Sequence, residues 1–146
     1  MIPSILKDFN MFFEGSSWIG VANEIELPKL VKKMEEVHMG NGSIELAMGN
    51  EAMEAGITID GLMTQAIASY GECDVSGLAL RFAGAFETQD ATCETRSMEV
   101  VMRGRFKEMD LGTAKKGDNN QAKYQMAVAY LKIMVDGDEL IEIDHV

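Results

Sequence analysis

Hydrophobic runs long enough to cross a bilayer are missing from this sequence. Crossing takes about 20 apolar residues, whereas Glu, Lys or Gly interrupts every hydrophobic stretch of the chain. A secretory signal is missing as well, because Lys7 and Asp8 interrupt the first residues and no small-residue cleavage site follows them. We therefore expect a soluble protein that is not exported and does not bind membranes.

Cysteine and proline each occur only twice. Cys73 and Cys93 lack the spacing of a metal site, and a chain without an export signal folds in a reducing compartment, so we expect two free, partly buried thiols. Pro3 and Pro28 do not mark a linker, and the sequence has no internal repeat. With 146 residues, of which 47% are hydrophobic, the chain predicts one domain, residues 1–146.

Positive charge is scarce. Thirteen Lys and Arg residues stand against 24 Asp and Glu residues, which gives a net charge of -11. This is the wrong sign for a protein that binds phosphates through counterion release, so tight binding of nucleic acid is disfavoured. The acidity has two interpretations: it keeps the protein in solution, or it marks a surface that must not hold a polyanion.

Motifs for catalysis or ligand binding are also absent. His38 and His145 are far apart in sequence and fit no metal-ligand spacing, so we expect both on the surface. The densest acidic cluster does not match a calcium loop; its members are Asp136, Asp138, Glu139 and Glu142. The sequence therefore predicts neither an enzyme nor a site for a cofactor or metal.

Two segments have the pattern of a β-hairpin. Residues 9–14 and 18–21 are aromatic and β-branched runs that lie on either side of a Gly-Ser-Ser turn. Residues 131–135 and 139–143 are apolar runs on either side of an Asp-Gly dipeptide at 136–137, which is favoured in tight hairpin turns.

Residues 122–135 predict one long strand. Up to Tyr130 the large apolar residues alternate, on one face, as Tyr124, Met126, Val128 and Tyr130. Beyond Tyr130 they change face, which indicates a bulge or a twist that lets the strand serve two packed surfaces. About 14 residues would extend about 46 Å, more than twice the usual strand length, and this suits a barrel or a sheet shared between subunits. Residues 78–87 and 98–107 predict two further strands.

A helix is predicted over residues 62–70, ending at Gly71. Its apolar face comprises Leu62, Ala66, Ile67 and Tyr70. Residues 27–37 also follow helical spacing, with Pro28 at a permissible first position.

Four short motifs occur in the order and approximate spacing of a known family, the phage major tail tube proteins of contractile tails. The first two are residues 27–30 and 82–84, the third is 100–110 with Gly112 and residues 116–117, and the fourth is 135–144. Together they extend over nearly the whole chain, which also resembles the tube proteins of R-type pyocins.

This resemblance implies a mainly β (α+β) fold: a β-sandwich or barrel of antiparallel strands with one flanking α-helix. Subunits would form hexameric rings whose strands make a shared β-barrel, and the rings would stack into a hollow tube inside a contractile sheath. The partners implied are further copies of the chain, the sheath, and the tape-measure and baseplate proteins. DNA would pass through the lumen without tight binding. Assembly would take place in the host bacterial cytoplasm, and the product would be a virion or tailocin.

The resemblance also implies that residues 27–39 are extended and form an arm that reaches a neighbouring subunit, contrary to their helical spacing. Residues expected to act in self-assembly are Leu27, Pro28, Leu30, Met34, Arg103 and Lys107. Family members usually continue past the last motif, so we expect this chain to lack the usual C-terminal extension.

Three alternatives remain open at this point. A tube subunit of a type VI secretion system would share the fold, although the motif around Arg103 weighs against it. A small-ligand carrier would bind in its own barrel mouth. An enzyme with an unrecognised site is the third.

Overall fold

The computed structural model describes residues 2–17 and 22–145. Within them lie ten strands, one short α-helix and one 3-10 turn. The strands are β1 (Ile5–Phe13), β2 (Ser16–Ser17), β3 (Ala22–Glu26), β4 (Lys32–Met39), β5 (Gly42–Asn50), β6 (Met53–Asp60), β7 (Leu78–Glu87), β8 (Thr95–Asp110), β9 (Gln121–Val135) and β10 (Asp138–Asp144). Helix α1 (Thr64–Ala68) runs into the 3-10 turn (Ser69–Gly71). The predicted mainly β class with one helix is confirmed.

Eight strands form one antiparallel, barrel-like sheet in the order β2-β1-β7-β8-β9-β6-β3, with β10 added beside β9. Strands β6 and β10 follow one another along the same edge of β9: β6 pairs with residues 121–128 and β10 with residues 130–135. The sheet therefore has two halves joined by β8 and β9. We call them the four-stranded half (β3, β6, and the adjoining parts of β9 and β8) and the five-stranded half (β1, β7, β8, β9 and β10).

The core lies between the inner faces of these two halves. Alternate residues of each strand point inward, as expected for a sheet with one buried face. The largest fully buried side chains are Tyr124, Phe13, Phe82, Met11, Ile57, Ile59, Leu80, Met102, Met126, Leu131 and Val100. Phe106 joins the halves, because its ring lies 5.7 Å from the rings of both Phe13 and Tyr124. Side chains thus fill the interior.

A bulge in β9 causes the predicted change of face. Arg103 pairs with Tyr130 and the next residue, Gly104, pairs with Val128, so Ala129 is the extra residue. Val128 and Leu131, three residues apart, are consequently both buried. The long strand and its change of face are therefore confirmed, as are the strands predicted at 78–87 and 98–107, although β8 is longer than predicted.

The predicted C-terminal hairpin is confirmed. Its turn residues have positive φ, 52° at Asp136 and 85° at Gly137, as a type I′ turn requires. In the first hairpin the turn is one step earlier than predicted. Glu14 and Gly15 form it with φ of 50° and 82°, so β2 begins at residue 16. The predicted strand at residues 18–21 lies outside the described residues.

Helix α1 is confirmed, but the predicted apolar face is wrong. Only Ala66 of that face is buried; Leu62 is 77% exposed and Tyr70 53% exposed. The reason is geometric, because one α-turn that continues as a 3-10 turn has no constant 3.6-residue period and so presents no stripe to the core.

Residues 27–37 contain no helix, so the helical spacing is misleading; residues 27–31 are irregular and residues 32–37 are strand, as the family resemblance implies for that part of the arm. Leu27 follows β3, and from Lys32 onward the chain is strand β4. Pairing with β5 overrides the local pattern, since the apolar residues at helical spacing have no core to cover. Leu30, Val31 and Met34 are each more than 40% exposed.

Both thiols are exposed, so the expectation that they are partly buried is wrong. Cys73 follows the 3-10 turn and Cys93 lies in the loop between β7 and β8; neither is in a disulfide. His38 is exposed in β4, and His145 is exposed beyond β10, as predicted for both. No helix in the described ranges is long and apolar enough to span a membrane.

A first prediction concerns Gly104, at the bulge. A Cβ atom at this position would lie 2.0 Å from the backbone oxygen of Ala127. We expect Gly104→Ala to lower the free energy of unfolding by about 3 kcal/mol, at the upper end of overpacking costs. Gly40→Ala is the control, because its Cβ meets nothing within 4 Å. Urea unfolding of the two variants measures the difference, and equal midpoints would contradict the prediction.

A second prediction concerns Asp136, whose carboxylate accepts hydrogen bonds from Ser97 N and Arg96 Nε, each at 3.0 Å. These bonds hold the pKa of Asp136 below its ordinary value. A lowered pKa adds stability that is present above the unfolded-state value and is lost as pH falls through the folded-state value. Asp136→Asn keeps the turn conformation but not the charge. Its destabilisation, measured by urea unfolding, should be present at pH 7 and shrink at pH 3; a destabilisation of equal size at both pH values would contradict the prediction.

Candidate assembly surfaces

Strands β4 and β5 form a separate two-stranded sheet that projects from the domain. We call residues 32–50 the arm hairpin. It continues the pairing of β3 with β6, because Glu26 pairs with Gly56 and Lys32 with Asn50 in the same register. Between these pairs, Glu51 N donates to Val31 O at 2.8 Å. The arm hairpin is therefore the outer part of one long hairpin whose inner part belongs to the four-stranded half.

The arm hairpin has one apolar and one polar face. Val37 pairs with Ile44, and Glu35 pairs with Leu46, on the first face; Glu36 pairs with Glu45, and His38 with Ser43, on the second. Ile44 and Leu46 are 47% and 45% exposed, and no described residue covers them. An isolated two-stranded hairpin is only marginally stable in water. Such a surface marks a site of contact with another molecule.

The predicted assembly residues at the N-terminal side of the arm hairpin are partly exposed. Leu27 packs against the edge of the core. Pro28 and Leu30 lie in the irregular segment between β3 and β4, and Leu30 is 42% exposed. Met34, 46% exposed, lies within β4. Their role in assembly stays a prediction.

Arg103 lies in β8, in a different part of the sheet, and its contacts are within the chain. Its Nε donates to Ser76 O at 3.2 Å, and Arg105 Nη1 donates to Cys73 O at 2.9 Å. The two guanidinium groups thus hold residues 72–77 against β8. Sequence reasoning missed the function of Arg105, because an arginine that binds backbone carbonyls has no partner that a sequence pattern can identify.

Lys107 occupies a second bulge, in β8. Phe106 pairs with Met126 and Glu108 with Gln125, so Lys107 is the extra residue. Its ammonium group forms an ion pair with Glu54 of β6, at the base of the arm hairpin. The structure therefore places Lys107 near the predicted arm and leaves Arg103 away from it.

The outer face of the four-stranded half is a polar groove of about 540 Å³. Four acidic and three basic side chains line it: Glu26, Glu54, Glu108 and Asp110, with Lys29, Lys107 and Lys123. On the arm hairpin, Glu36 and Glu45 extend the acidic character, although like charges opposite each other in a sheet cost stability. This groove is open and charged, unlike the mostly apolar cavity of a small-ligand site.

Both edges of the four-stranded half are open. At one edge, β3 has β6 as its single strand partner within residues 2–17 and 22–145. At the other, β8 pairs with β7 only as far as Gly104, so residues 105–110 have β9 as their one strand partner in the part of the chain that the structure describes. Open edges expose unpaired backbone groups and act as templates for pairing with another chain.

The outer face of the five-stranded half carries exposed ion pairs. Arg81 lies 3.5 Å from Glu99 and 4.5 Å from the ring centroid of Phe12. On β10, hydrogen bonding to Glu139 raises the pKa of Glu142. Among the described residues, no cluster of His, Cys, Asp or Glu is placed to hold a metal ion.

Comparison with known proteins gives matches over nearly the whole chain. The family model described as "Phage tail tube protein FII" matches residues 3–146. A tail tube protein of Escherichia phage P2 is 36% identical, over 98% of this chain and 86% of that protein. A major tail tube protein of Serratia phage KSP20 is 33% identical, over 98% of this chain and 84% of that protein.

Solved structures with a similar fold come from an extracellular contractile injection system, PVC. Its sheath/tube terminator in the extended state has a TM-score of 0.66 at 10% identity, covering 92% of this chain and 98% of that chain. Its sheath-tube complex has a TM-score of 0.66 at 9% identity, covering 90% and 91%. The fold is therefore shared despite very different sequences.

Proposed function

Because the chain belongs to the phage tail tube protein FII family, we propose that it is a structural subunit of the inner tube of a contractile phage tail or of a phage-tail-like bacteriocin. Subunits would associate as hexameric rings that stack into a hollow conduit. The observation that carries this proposal is the arm hairpin, whose apolar face has no cover among the described residues. In a monomer this apolar face stays exposed to water, whereas contact between subunits of a polymer would bury it.

The four-stranded half is the part of the domain suited to form the tube wall. Its two open edges allow the sheet to continue into the sheets of neighbouring copies, and closure around a ring removes every edge. Its outer face is polar, grooved and extended by the polar face of the arm hairpin. We place this face toward the lumen.

The partners that we propose for the tube are those that the family resemblance implies. The five-stranded half then faces outward, toward a sheath, and tape-measure and baseplate proteins would meet the tube at its lumen and end. DNA would pass through without tight binding. Assembly would take place in the host cytoplasm, before incorporation into a virion or tailocin.

The alternatives receive less support. Large buried side chains pack between the two halves, and the groove on the outer face is open and charged, which argues against a small-ligand carrier. The family is a structural one, which argues against an enzyme. The relatives named above are phage tail tube proteins, which favours a phage-type tube over a type VI secretion tube.

The direct test is negative-stain microscopy of the purified protein, together with light scattering. Rings or hollow filaments are the expected particles. A protein that remains a monomer at high concentration would contradict the proposed function.

A third prediction tests the arm. Leu30→Glu places a charge among the exposed apolar residues 30, 31 and 34, so burial in a subunit contact becomes costly. We expect this variant to fold, by circular dichroism, but not to form rings. Leu140→Glu is the control, because Leu140 is also an exposed leucine, at 64%, and lies on β10 in the five-stranded half. Rings that form as readily with Leu30→Glu as with the wild type would remove residue 30 from the contact.

A fourth prediction tests whether the acidic side chains on the polar face of the arm hairpin lie in the lumen. Glu36→Lys with Glu45→Lys keeps like charges opposite each other but makes the polar face of the arm hairpin basic. Tubes of this variant should retain double-stranded DNA at low salt, with a slope of about 0.9 per phosphate contact in log affinity against log salt. Glu139→Lys with Glu142→Lys makes the same charge change on β10, and those tubes should retain less. Equal retention by both variants would place Glu36 and Glu45 outside the lumen.

A further inference from the structure

The lysines that lack an ion-pair partner are concentrated at the start of the arm hairpin. Six ion pairs occur in the described chain, and their cations are Lys7, Arg81, Arg96, Lys107, Lys115 and Lys132. Lys29, Lys32 and Lys33 take part in none of them. Between and beside them lie three exposed apolar residues, Leu30, Val31 and Met34. We call residues 29–34 the arm base: a segment whose three lysines take part in none of these ion pairs and whose three large apolar side chains are exposed.

A second surface has the opposite charge and a similar apolar content. It lies in the 62–75 region, which buries only Ala66 in α1. Its exposed apolar side chains are Leu62 at 77%, Tyr70 at 53% and Val75 at 44%. Two acidic residues, Glu72 and Asp74, lie between Tyr70 and Val75 in the chain. We call the exposed side chains Leu62, Tyr70, Glu72, Asp74 and Val75 the platform.

The platform is ordered by contacts within the chain. Arg105 and Arg103 bind the carbonyl oxygens of Cys73 and Ser76. Asp74 N donates to Glu72 Oε1, and Ser76 N donates to Asp74 Oδ1, each at 3.1 Å. A loop that is already held in one conformation loses little entropy when a partner binds, so it is suited to be a docking surface.

The arm base and the platform lie at opposite edges of the four-stranded half. The arm base follows β3, at one open edge. The platform is tied to β8 through Arg105, next to residues 105–110 at the other open edge. When the edges of two copies meet, both surfaces come to the same seam.

We propose that the arm base of one copy docks on the platform of a second copy, so that its lysines come close to Glu72 and Asp74 and its exposed apolar residues pack against Leu62, Tyr70 and Val75. This contact rests on the proposed tube function. It would make the contact between neighbouring subunits head-to-tail, because the arm base of one copy meets the platform of the next. Each copy has a net charge of -11 and repels the others, so a local match of opposite charge selects one orientation among the possible encounters.

Charge reversal tests the pairing. The first variant is Lys32→Glu with Lys33→Glu, and the second is Glu72→Lys with Asp74→Lys. We expect each alone to need about tenfold more protein than the wild type to form rings. A chain that carries all four changes should assemble nearly as well as the wild type. An equimolar mixture of the two variants should also form rings, with both chains alternating in each, because each arm base then meets a platform of opposite charge.

Two further variants make the result interpretable. Lys115→Glu with Lys116→Glu changes the net charge as the first variant does but lies on the loop between β8 and β9, and it should assemble like the wild type. Val75→Glu leaves the hydrogen bonds of the loop intact and should impair assembly even if the Glu72 and Asp74 changes disturb the loop.

The outcomes separate the two proposals. If the wild type forms no rings, the proposed function is wrong. If the wild type forms rings and the Lys32/Lys33 and Val75 variants form them equally well, the tube function stands and the docking contact is wrong. Folded single-surface variants that fail to assemble alone and still fail when mixed would also overturn it.

Discussion

The pairing of β8 with β9 is the constraint on which the rest of the structure depends. These strands, 16 and 15 residues long, are the only ones that belong to both halves of the sheet in the described chain. Each carries one extra residue, Lys107 or Ala129, and the resulting bulges turn the apolar residues toward the core on both sides of the break. Because of the bulge in β9, β6 and β10 can follow one another along one edge. Gly104 permits the close approach of the two backbones.

Sequence patterns predicted the parts of the fold whose side chains face the core of the same chain. Alternation identified β9 and its change of face, since Val128 and Leu131 are buried by their own domain, and Asp136-Gly137 identified a turn through backbone geometry alone. The arm was different. Residues 27–37 follow helical spacing, yet only Leu27 among their apolar residues packs against the core, and Leu30, Val31 and Met34 are exposed, so the spacing carried no information about their structure. The family resemblance alone indicated a strand there. Arg103 was recognised as important, but its carbonyl partner could not be read from sequence.

Copies of an acidic chain repel one another, so the positions of its few basic side chains affect which surfaces can associate. Most of the basic side chains here are used within the domain, as partners of Glu54, Glu99 or Asp136, or as clamps on residues 72–77. Five lysines take part in none of these contacts in the described chain, and three of them lie at the arm base. In the proposed contact, repulsion between acidic copies would be relieved there, which favours specific association over aggregation.

The long hairpin also has a consequence for growth. In a stack of rings, each added layer covers one set of arm surfaces and displays another identical set, so the end of the polymer is chemically the same at every length. Addition to an existing end is then always easier than starting a new particle, because the first ring must form without a template. A surface that repeats in this way carries no information about length, so the length of the proposed tube would have to be set by another component.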